Sequence, residues 1–276
     1  VPPWHIAGAT AFRTALRAGG AHTRDDVALT RDDVAFLQYT GGTTGVAKGA
    51  VLTHGNLVAN IQQMSAWMAR DLREGEETIV IPLPLYHIYA LTSNLVFMKL
   101  GARCVLITNP RDVPAFIEEL KRSRFTAIIG VDTRYSALIN APGFSQVDVS
   151  RLKLISAGGM AVQRVVAQKW KQATGVAVIE GYGLTETSPV VIASPLGIDA
   201  WTGTIGVPIP STEAAILDDQ GNAVPVGEVG EICIRGPQVM KGYWNRPEET
   251  TKVFTEDGWF RTGDMGFMDD RGFFKI

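Results

Sequence analysis

Residues 152–180 read LKLISAGGMAVQRVVAQKWKQATGVAVIE, and the class of fold turns on how this stretch is parsed. Leu152–Ala157 and Val176–Glu180 are short apolar runs of strand length. Between them, Val162–Thr174 has the length and composition of a helix, and Ser156-Ala-Gly-Gly-Met160 ends the first strand and opens that helix. Two strands joined through a helix of this size fit a parallel pair.

The same alternation extends towards the N-terminus. Val34–Thr40, Thr78–Pro82, Arg103–Thr108 and Thr126–Val131 read as strands, and Asn56–Arg70, Ala90–Leu100, Asp112–Ser123 and Thr133–Asn140 as helices. In Asp112–Ser123 the apolar Val113, Phe116, Ile117 and Leu120 recur every three to four residues, the period of a helix buried on one face. Nearly continuous apolar strands predict a mainly parallel sheet covered on both sides. Residues 1–33, rich in Pro, Gly and charge around the amphipathic Phe12–Leu16, read as a surface lead-in.

Past Trp201 the helices thin out. Short runs at Glu213–Leu217 and Glu231–Arg235, a turn at Asp218–Gly221, and a hairpin from Gly266–Met268 through Asp269–Gly272 to Phe273–Ile276 predict a small β unit. The expected fold class is therefore α/β: a parallel sheet with flanking helices over residues 1–200 and a β-rich, barrel-like unit over 201–276. Val1 is not a methionine and Ile276 stops inside a strand pattern, so the sequence reads as a fragment.

The 276 residues suffice for a sizeable core, and a net charge of -2 with both signs interspersed gives no electrostatic case for nucleic acid. No apolar run approaches the roughly 20 residues of a membrane span. Cys104 and Cys233 are widely separated and read as buried free thiols of a reducing compartment. His5, His22, His54 and His87 form no metal-ligand pair. A cytoplasmic location is expected.

The densest chemical signal is Tyr39–Gly49, YTGGTTGVAKG, following an apolar strand. Glycines at 41, 42 and 45 let successive N–H groups converge on an anion. Thr40, Thr43 and Thr44 add hydroxyls, and Lys48 adds a point charge suited to phosphate. Lys48 follows Ala47 and lacks the Gly-Lys-Ser/Thr order of a Walker loop. Gly181–Thr187, GYGLTET, comes next in strength because it sits at the C-terminal end of a strand, where α/β proteins bind ligands. There Tyr182 offers a flat face, Gly183 a bare backbone, Thr185 a hydroxyl, and Glu186 a carboxylate suited to Mg²⁺. Taken alone, Glu186 would be a surface carboxylate more often than a ligand.

Three weaker signals follow. Asp264, in Gly258–Gly266 (GWFRTGDMG), could accept hydrogen bonds from a ribose, though a turn aspartate is the ordinary reading. Gly158 and Gly159 let backbone approach a flat base. His87, in Leu83–Leu91 (LPLYHIYAL), is either a wall histidine or a catalytic one.

The ordered series YTGGTTGVAKG, LPLYHIYA, SAGGM, GYGLTET, GEICIRGPQVMKGYW and GWFRTGD resembles the adenylate-forming superfamily of acyl-CoA synthetases, peptide-synthetase adenylation domains and luciferases. Within it, GGTTGVAKGAVLTHGN, ITNPRD and RGPQVMKGYWNRPEET are most similar to bacterial long-chain fatty-acid–CoA ligases. The resemblance implies activation of a fatty acid by ATP, with Mg²⁺ as cofactor and coenzyme A as acceptor. It implies that the Thr40–Lys48 loop holds the β- and γ-phosphates, Glu186 the metal and Thr185 the α-phosphate. Gly158, Gly159 and Tyr182 would form the adenine slot, Asp264 would hold the ribose, and His87 would stand beside the reacting carboxylate. The acyl chain would run between the helix after His87 and the Gly130–Tyr135 strand end. Contact with the inner face of a membrane is compatible with such a substrate, and the number of subunits is left open.

Relatives of this kind also have chain before Val1 and a mobile domain after Ile276 that supplies a lysine to the reaction, so the sequence by itself is expected to be inactive. Gly130-Val-Asp-Thr-Arg134 departs from the family's usual text. Asp132 and Arg134 there read as a surface pair or as modifiers of substrate choice. Two other outcomes stay open: a luciferase-like monooxygenase using the same activation, and a nucleotide- or acyl-binding module without catalysis.

Overall fold

The computed structural model describes residues 7–23, 25–40 and 47–276. Residues up to Thr30 form one compact unit, which holds helix α1 (Phe12–Gly19), exposed along its length. Arg31–Ile276 forms the second unit.

That second unit is organised on a seven-stranded sheet. β3 (Thr78–Ile81), β4 (Arg103–Leu106), β5 (Ala127–Gly130), β6 (Leu154–Gly158) and β7 (Val178–Gly183) are parallel, in spatial order β4-β3-β5-β6-β7. β8 (Val190–Ala193) and β9 (Val207–Pro208) continue the sheet antiparallel. β8 follows the GYGLTET turn so closely that no loop signal separates them, and sequence reading misses it.

The apolar strands read as continuous because both faces are covered. Val80, Ile128, Ile155 and Val178 point into a core with Phe116, Leu120, Tyr135 and Trp170 from α4 (Val113–Ser123), α5 (Asp132–Ile139) and α6 (Arg164–Thr174). Ile79, Ile81, Ala127, Ile129 and Leu154 point the other way, onto Met68 of α2 (His54–Met68) and Val96 and Phe97 of α3 (Ile88–Lys99). Each aliphatic side chain so enclosed contributes about 1.5–3 kcal/mol relative to exposure.

Capping fixes the helix starts. Thr53 accepts from Asn56 N at 3.2 Å and Asn56 Oδ1 accepts from Thr53 N at 2.9 Å, so α2 begins two residues before the expected Asn56. Asp112 caps α4 by accepting from Ala115 N at 3.1 Å, and Gly175 ends α6 in the left-handed region at φ 74°.

β1 (Val34–Thr40) and β2 (Lys48–Thr53) form an antiparallel pair whose register sets Thr40 opposite Lys48. The C-terminal part is a four-stranded antiparallel sheet of β10 (Glu213–Leu217), β11 (Gly230–Arg235), β12 (Phe260–Met268) and β13 (Phe274–Lys275). Phe274 N donates to Gly206 O at 2.8 Å and so joins this sheet to the chain entering β9. One helix interrupts the β unit: α7 (Pro247–Val253) starts on Pro247, with Glu248 and Glu249 in its first turn.

Asp132 and Arg134 are corrected here. They form no surface pair: Asp132 is 3% exposed and accepts from Gln163 N at 2.9 Å, while Arg134 donates to the carbonyl of Pro110. A carboxylate at the start of one helix that also receives the N–H opening α6 is held by structure, which is why its charge is tolerated there.

Candidate active site

A cavity of about 490 Å³ opens where the parallel strands end. Its mouth is polar. Gly158 and Gly159 arrive from β6, Tyr182 and Gly183 from β7, and Thr185 and Glu186 from the short turn that follows. Thr40 comes from the end of β1 and His87 from the cap of α3. Eight of the residues singled out in the sequence therefore line one space. Gly41, Gly42, Thr43, Thr44 and Gly45 lie outside the described residues.

Two of these positions require glycine for definite reasons. A Cβ on Gly183 would stand 2.0 Å from the Pro189 carbonyl oxygen, so β7 and the start of β8 can approach only with a hydrogen there. Gly159 has φ +80°, which L side chains rarely adopt.

Glu186 is 8% exposed, and its Oε1 accepts from the hydroxyl of Tyr243 at 2.7 Å. Among the described residues no other side chain meets its Oε2. Lys48 does not line the cavity. Its Nζ lies 3.2 Å from Glu249 Oε2 and 4.5 Å from the centre of the Tyr243 ring. Tyr243 thus touches both charged residues, and its own N–H donates to Thr250 Oγ1 at 2.9 Å on α7. Sequence reading gave Tyr243 and Glu249 no role. Tyr243 lies within the quoted GEICIRGPQVMKGYW, but nothing in local spacing aims it at Glu186, 57 residues away.

His87 sits exposed at the rim. Its Nδ1 accepts from Tyr89 N at 3.2 Å, so the neutral ring carries its proton on Nε2. Partial desolvation moves its pKa below the ordinary histidine value, which favours that neutral form. Asp264, on β12, accepts from the Tyr182 hydroxyl at 2.7 Å through Oδ2. Burial, with the Asp264 carboxylate adding to it, raises the Tyr182 pKa, and the phenol stays a donor.

Below the mouth stands Glu180, a buried carboxylate that sequence reading passed over. Its Oε1 accepts from Val162 N at 2.8 Å and its Oε2 from Trp201 Nε1 at 2.7 Å. It therefore clamps the end of the Ser156–Met160 turn to β7. Burial raises its pKa, against those two donors.

Deeper still the cavity is apolar, walled by Met64, Met68, Phe97, Ile129, Leu154 and Leu196. The expected Gly130–Tyr135 end is not part of this wall. Tyr135 is fully buried and donates to the Ser156 carbonyl at 2.6 Å on the opposite face of the sheet. Among the described residues no cluster of three His, Cys, Asp or Glu groups could hold a metal, and no helix is long and apolar enough to cross a membrane.

A glycine-lined polar mouth at the strand ends, continued by an apolar pocket, gathers residues from several of the motifs quoted above. The sequence pattern of the AMP-binding enzyme family matches residues 3–244, and the chain belongs to that family. It is 51% identical over its whole length to a long-chain-fatty-acid–CoA ligase of Escherichia coli O6:H1, covering 49% of that protein. A ligase of the same name from Bacillus subtilis strain 168 is 44% identical over 88% of the chain, which covers 43% of it. Among solved structures, ATP-bound MatB from Rhodopseudomonas palustris superimposes with a TM-score of 0.86 at 30% identity, over 95% of this chain and 52% of that one. The chain spans about half the length of the curated relatives it matches.

Proposed function

We propose that the protein carrying this chain activates a long-chain fatty acid with ATP, forming an acyl-adenylate and then the coenzyme A thioester. The observation that carries the reading is the two-part cavity: an oxygen-bearing mouth of backbone and carboxylate continued by an apolar wall. Only an amphipathic substrate uses both parts, and a fatty acid places its carboxylate at the mouth. On this reading residues 1–200 carry the nucleotide and acyl surfaces, and residues 201–276 bring Tyr243 and Asp264 to them.

ATP lies with its base on Gly158, Gly159 and Tyr182 and its ribose at the Asp264 carboxylate. Thr185 donates to the α-phosphate, and Thr40 and Lys48 serve the β- and γ-phosphates. Lys48 reaches them by leaving Glu249. His87, with its proton on Nε2, donates to the fatty-acid carboxylate and holds one oxygen towards the α-phosphorus. That oxygen bonds to phosphorus as the bond to pyrophosphate breaks, and the leaving charge is spread over Lys48 and backbone N–H groups.

Glu186 fits Mg²⁺. It lines the cavity, and among the described residues only its Oε1 has a hydrogen-bond partner; Mg²⁺ is commonly held by one or two carboxylates together with phosphates and water. When bound, the ion neutralises phosphate charge. Tyr243 holds Glu186 in place through Oε1.

The test is ATP–pyrophosphate exchange driven by palmitate on the protein carrying this chain, with hydroxylamine trapping of the acyl group. Exchange that depends on both palmitate and Mg²⁺, followed by thioester formation on adding coenzyme A, is expected. Absence of exchange with every carboxylate tried overturns the reading.

A further inference from the structure

One short segment, residues 240–244, is tied by its backbone to the neighbourhoods of both Lys48 and Glu186. Val51 N donates to Gly242 O at 2.8 Å and Trp244 N to Gly49 O at 2.8 Å, which sets Tyr243 antiparallel to Ala50 of β2, the strand that Lys48 opens. Met240 N donates to Glu186 O at 2.7 Å. The Tyr243 side chain makes the same two connections. Its hydroxyl donates to Glu186 Oε1 at 2.7 Å, and Lys48 Nζ stands 4.5 Å from the centre of its ring. Tyr243 has little freedom of its own. It is 8% exposed, and its N–H is engaged by Thr250 Oγ1 at 2.9 Å. Gly242 before it, at φ +148°, passes so close to α7 that a Cβ would stand 2.8 Å from Thr250 Cγ2.

The two contacts use different parts of one side chain. A hydroxyl donating to a carboxylate makes a strong, directional bond that fixes how the carboxylate is turned. An aromatic face attracts an ammonium group through its quadrupole and needs no hydroxyl. Burial raises the Tyr243 pKa, and the charges of Glu186 and Glu249 add to the rise, so the phenol stays a donor. Resting on the nucleotide reading above, we infer that Tyr243 is a positioning residue for both charges of the ATP site. Its hydroxyl fixes the Glu186 carboxylate for Mg²⁺, and its ring supports Lys48 as that side chain turns from Glu249 to phosphate. Tyr243 touches no reacting atom and acts only through these two partners.

Substitution separates the two roles, because Tyr243→Phe removes the hydroxyl and keeps the ring, whereas Tyr243→Leu removes both. The measurement is the ATP dissociation constant by calorimetric titration of the protein carrying this chain, once with EDTA and once with saturating Mg²⁺. Without metal, Tyr243→Phe should bind ATP within about twofold of wild type, and Tyr243→Leu about three- to fivefold more weakly, the scale of a cation–π contact. With Mg²⁺, Tyr243→Phe should fall about tenfold behind wild type, the scale of a hydrogen bond to a charged group. Tyr243→Leu should then show both losses. If circular dichroism shows Tyr243→Leu unfolded, Tyr243→Met carries the same expectation. A Phe variant equal to wild type with Mg²⁺, or equally weakened with and without it, overturns the inference, the second outcome being that of a merely structural side chain. A Leu variant that matches the Phe variant in EDTA, or binds ATP more tightly, overturns it as well. A wild-type protein that binds no ATP overturns the nucleotide reading itself, so the two failures are distinguishable.

Discussion

At its mouth the cavity is made of backbone and single oxygen atoms: Gly158, Gly159 and Gly183, then Thr185 and Glu186. At its deep end it is made of methyl groups and rings from Met64, Met68, Phe97 and Leu154. The two ends lie on the same strands, yet they answer to different physics. The mouth depends on where one atom stands, and a shift of a few tenths of an ångström removes a hydrogen bond or creates a clash. The deep end depends on volume, and volume-conserving swaps there usually cost less than about 1.5 kcal/mol. The mouth should therefore be brittle to conservative changes that the deep end absorbs.

Gly183→Ala is the harshest test of that contrast. The added methyl group meets the Pro189 carbonyl at 2.0 Å, and neither strand can yield without opening the β7–β8 pair. A loss of about 3 kcal/mol or more in stability is expected, together with loss of ATP binding. Met64→Leu at the other end should stay within about 1 kcal/mol. Denaturation midpoints of the two variants decide it, and comparable losses would break the distinction.

Next in size is Glu186→Gln. The amide keeps the volume and can still accept from Tyr243, but the charge available to Mg²⁺ is gone. Palmitate-driven exchange should fall by about a hundredfold, the scale of losing one group that stabilises transition-state charge, with the unfolding midpoint little changed. Exchange within threefold of wild type would remove Glu186 from the reaction.

The same contrast explains what could be read from the sequence. Strands such as Val34–Thr40 and Glu213–Leu217 were placed to the residue, because apolar runs bounded by turn residues are local signals. The glycines and Thr185–Glu186 stood out because phosphate-type chemistry needs bare backbone within a few residues. Tyr243, Glu249 and Glu180 were invisible. Each acts through partners between 18 and 201 residues away, as in Glu180 with Val162 and Glu249 with Lys48. The apolar wall was misplaced for a related reason. Gly130–Tyr135 follows a strand end as expected, but the chain there turns Tyr135 to the opposite face, and one sequence does not show which face a helix covers.

Glu180→Gln probes a residue between the two ends. An amide offers one acceptor where two N–H groups need one each, so about 1 kcal/mol of stability should be lost near neutrality. The pH dependence adds a sign. Burial raises the folded-state pKa of Glu180, so its titration contributes stability that is full below the ordinary glutamate range and is lost as pH rises through the raised value. The stability gap between wild type and Glu180→Gln should narrow as pH rises through that window. A gap that widens would mean that the clamp on Val162 and Trp201, rather than burial, dominates the ionised form.

The smallest expected effect belongs to Glu249→Gln, and its sign is the informative part. Lys48 is shared between the Glu249 carboxylate and the Tyr243 ring, outside the cavity that its proposed phosphate partner would occupy. Hydrogen bonds from Lys252 and then Lys48 hold the Glu249 pKa below the usual carboxylate range, so it is an anion at any working pH. An anion that must release Lys48 before phosphate can take it competes with the nucleotide. Removing its charge should tighten ATP binding by about two- to fivefold, the scale of a solvent-screened ion pair, and the gain should shrink with added salt. Calorimetric titration of both proteins at two ionic strengths gives the answer. Weaker binding in Glu249→Gln would mean that the carboxylate aims Lys48 rather than restrains it. Lys48 would then belong with Glu186 among groups whose placement depends on one partner atom, and the brittle region would extend from the mouth of the cavity to α7.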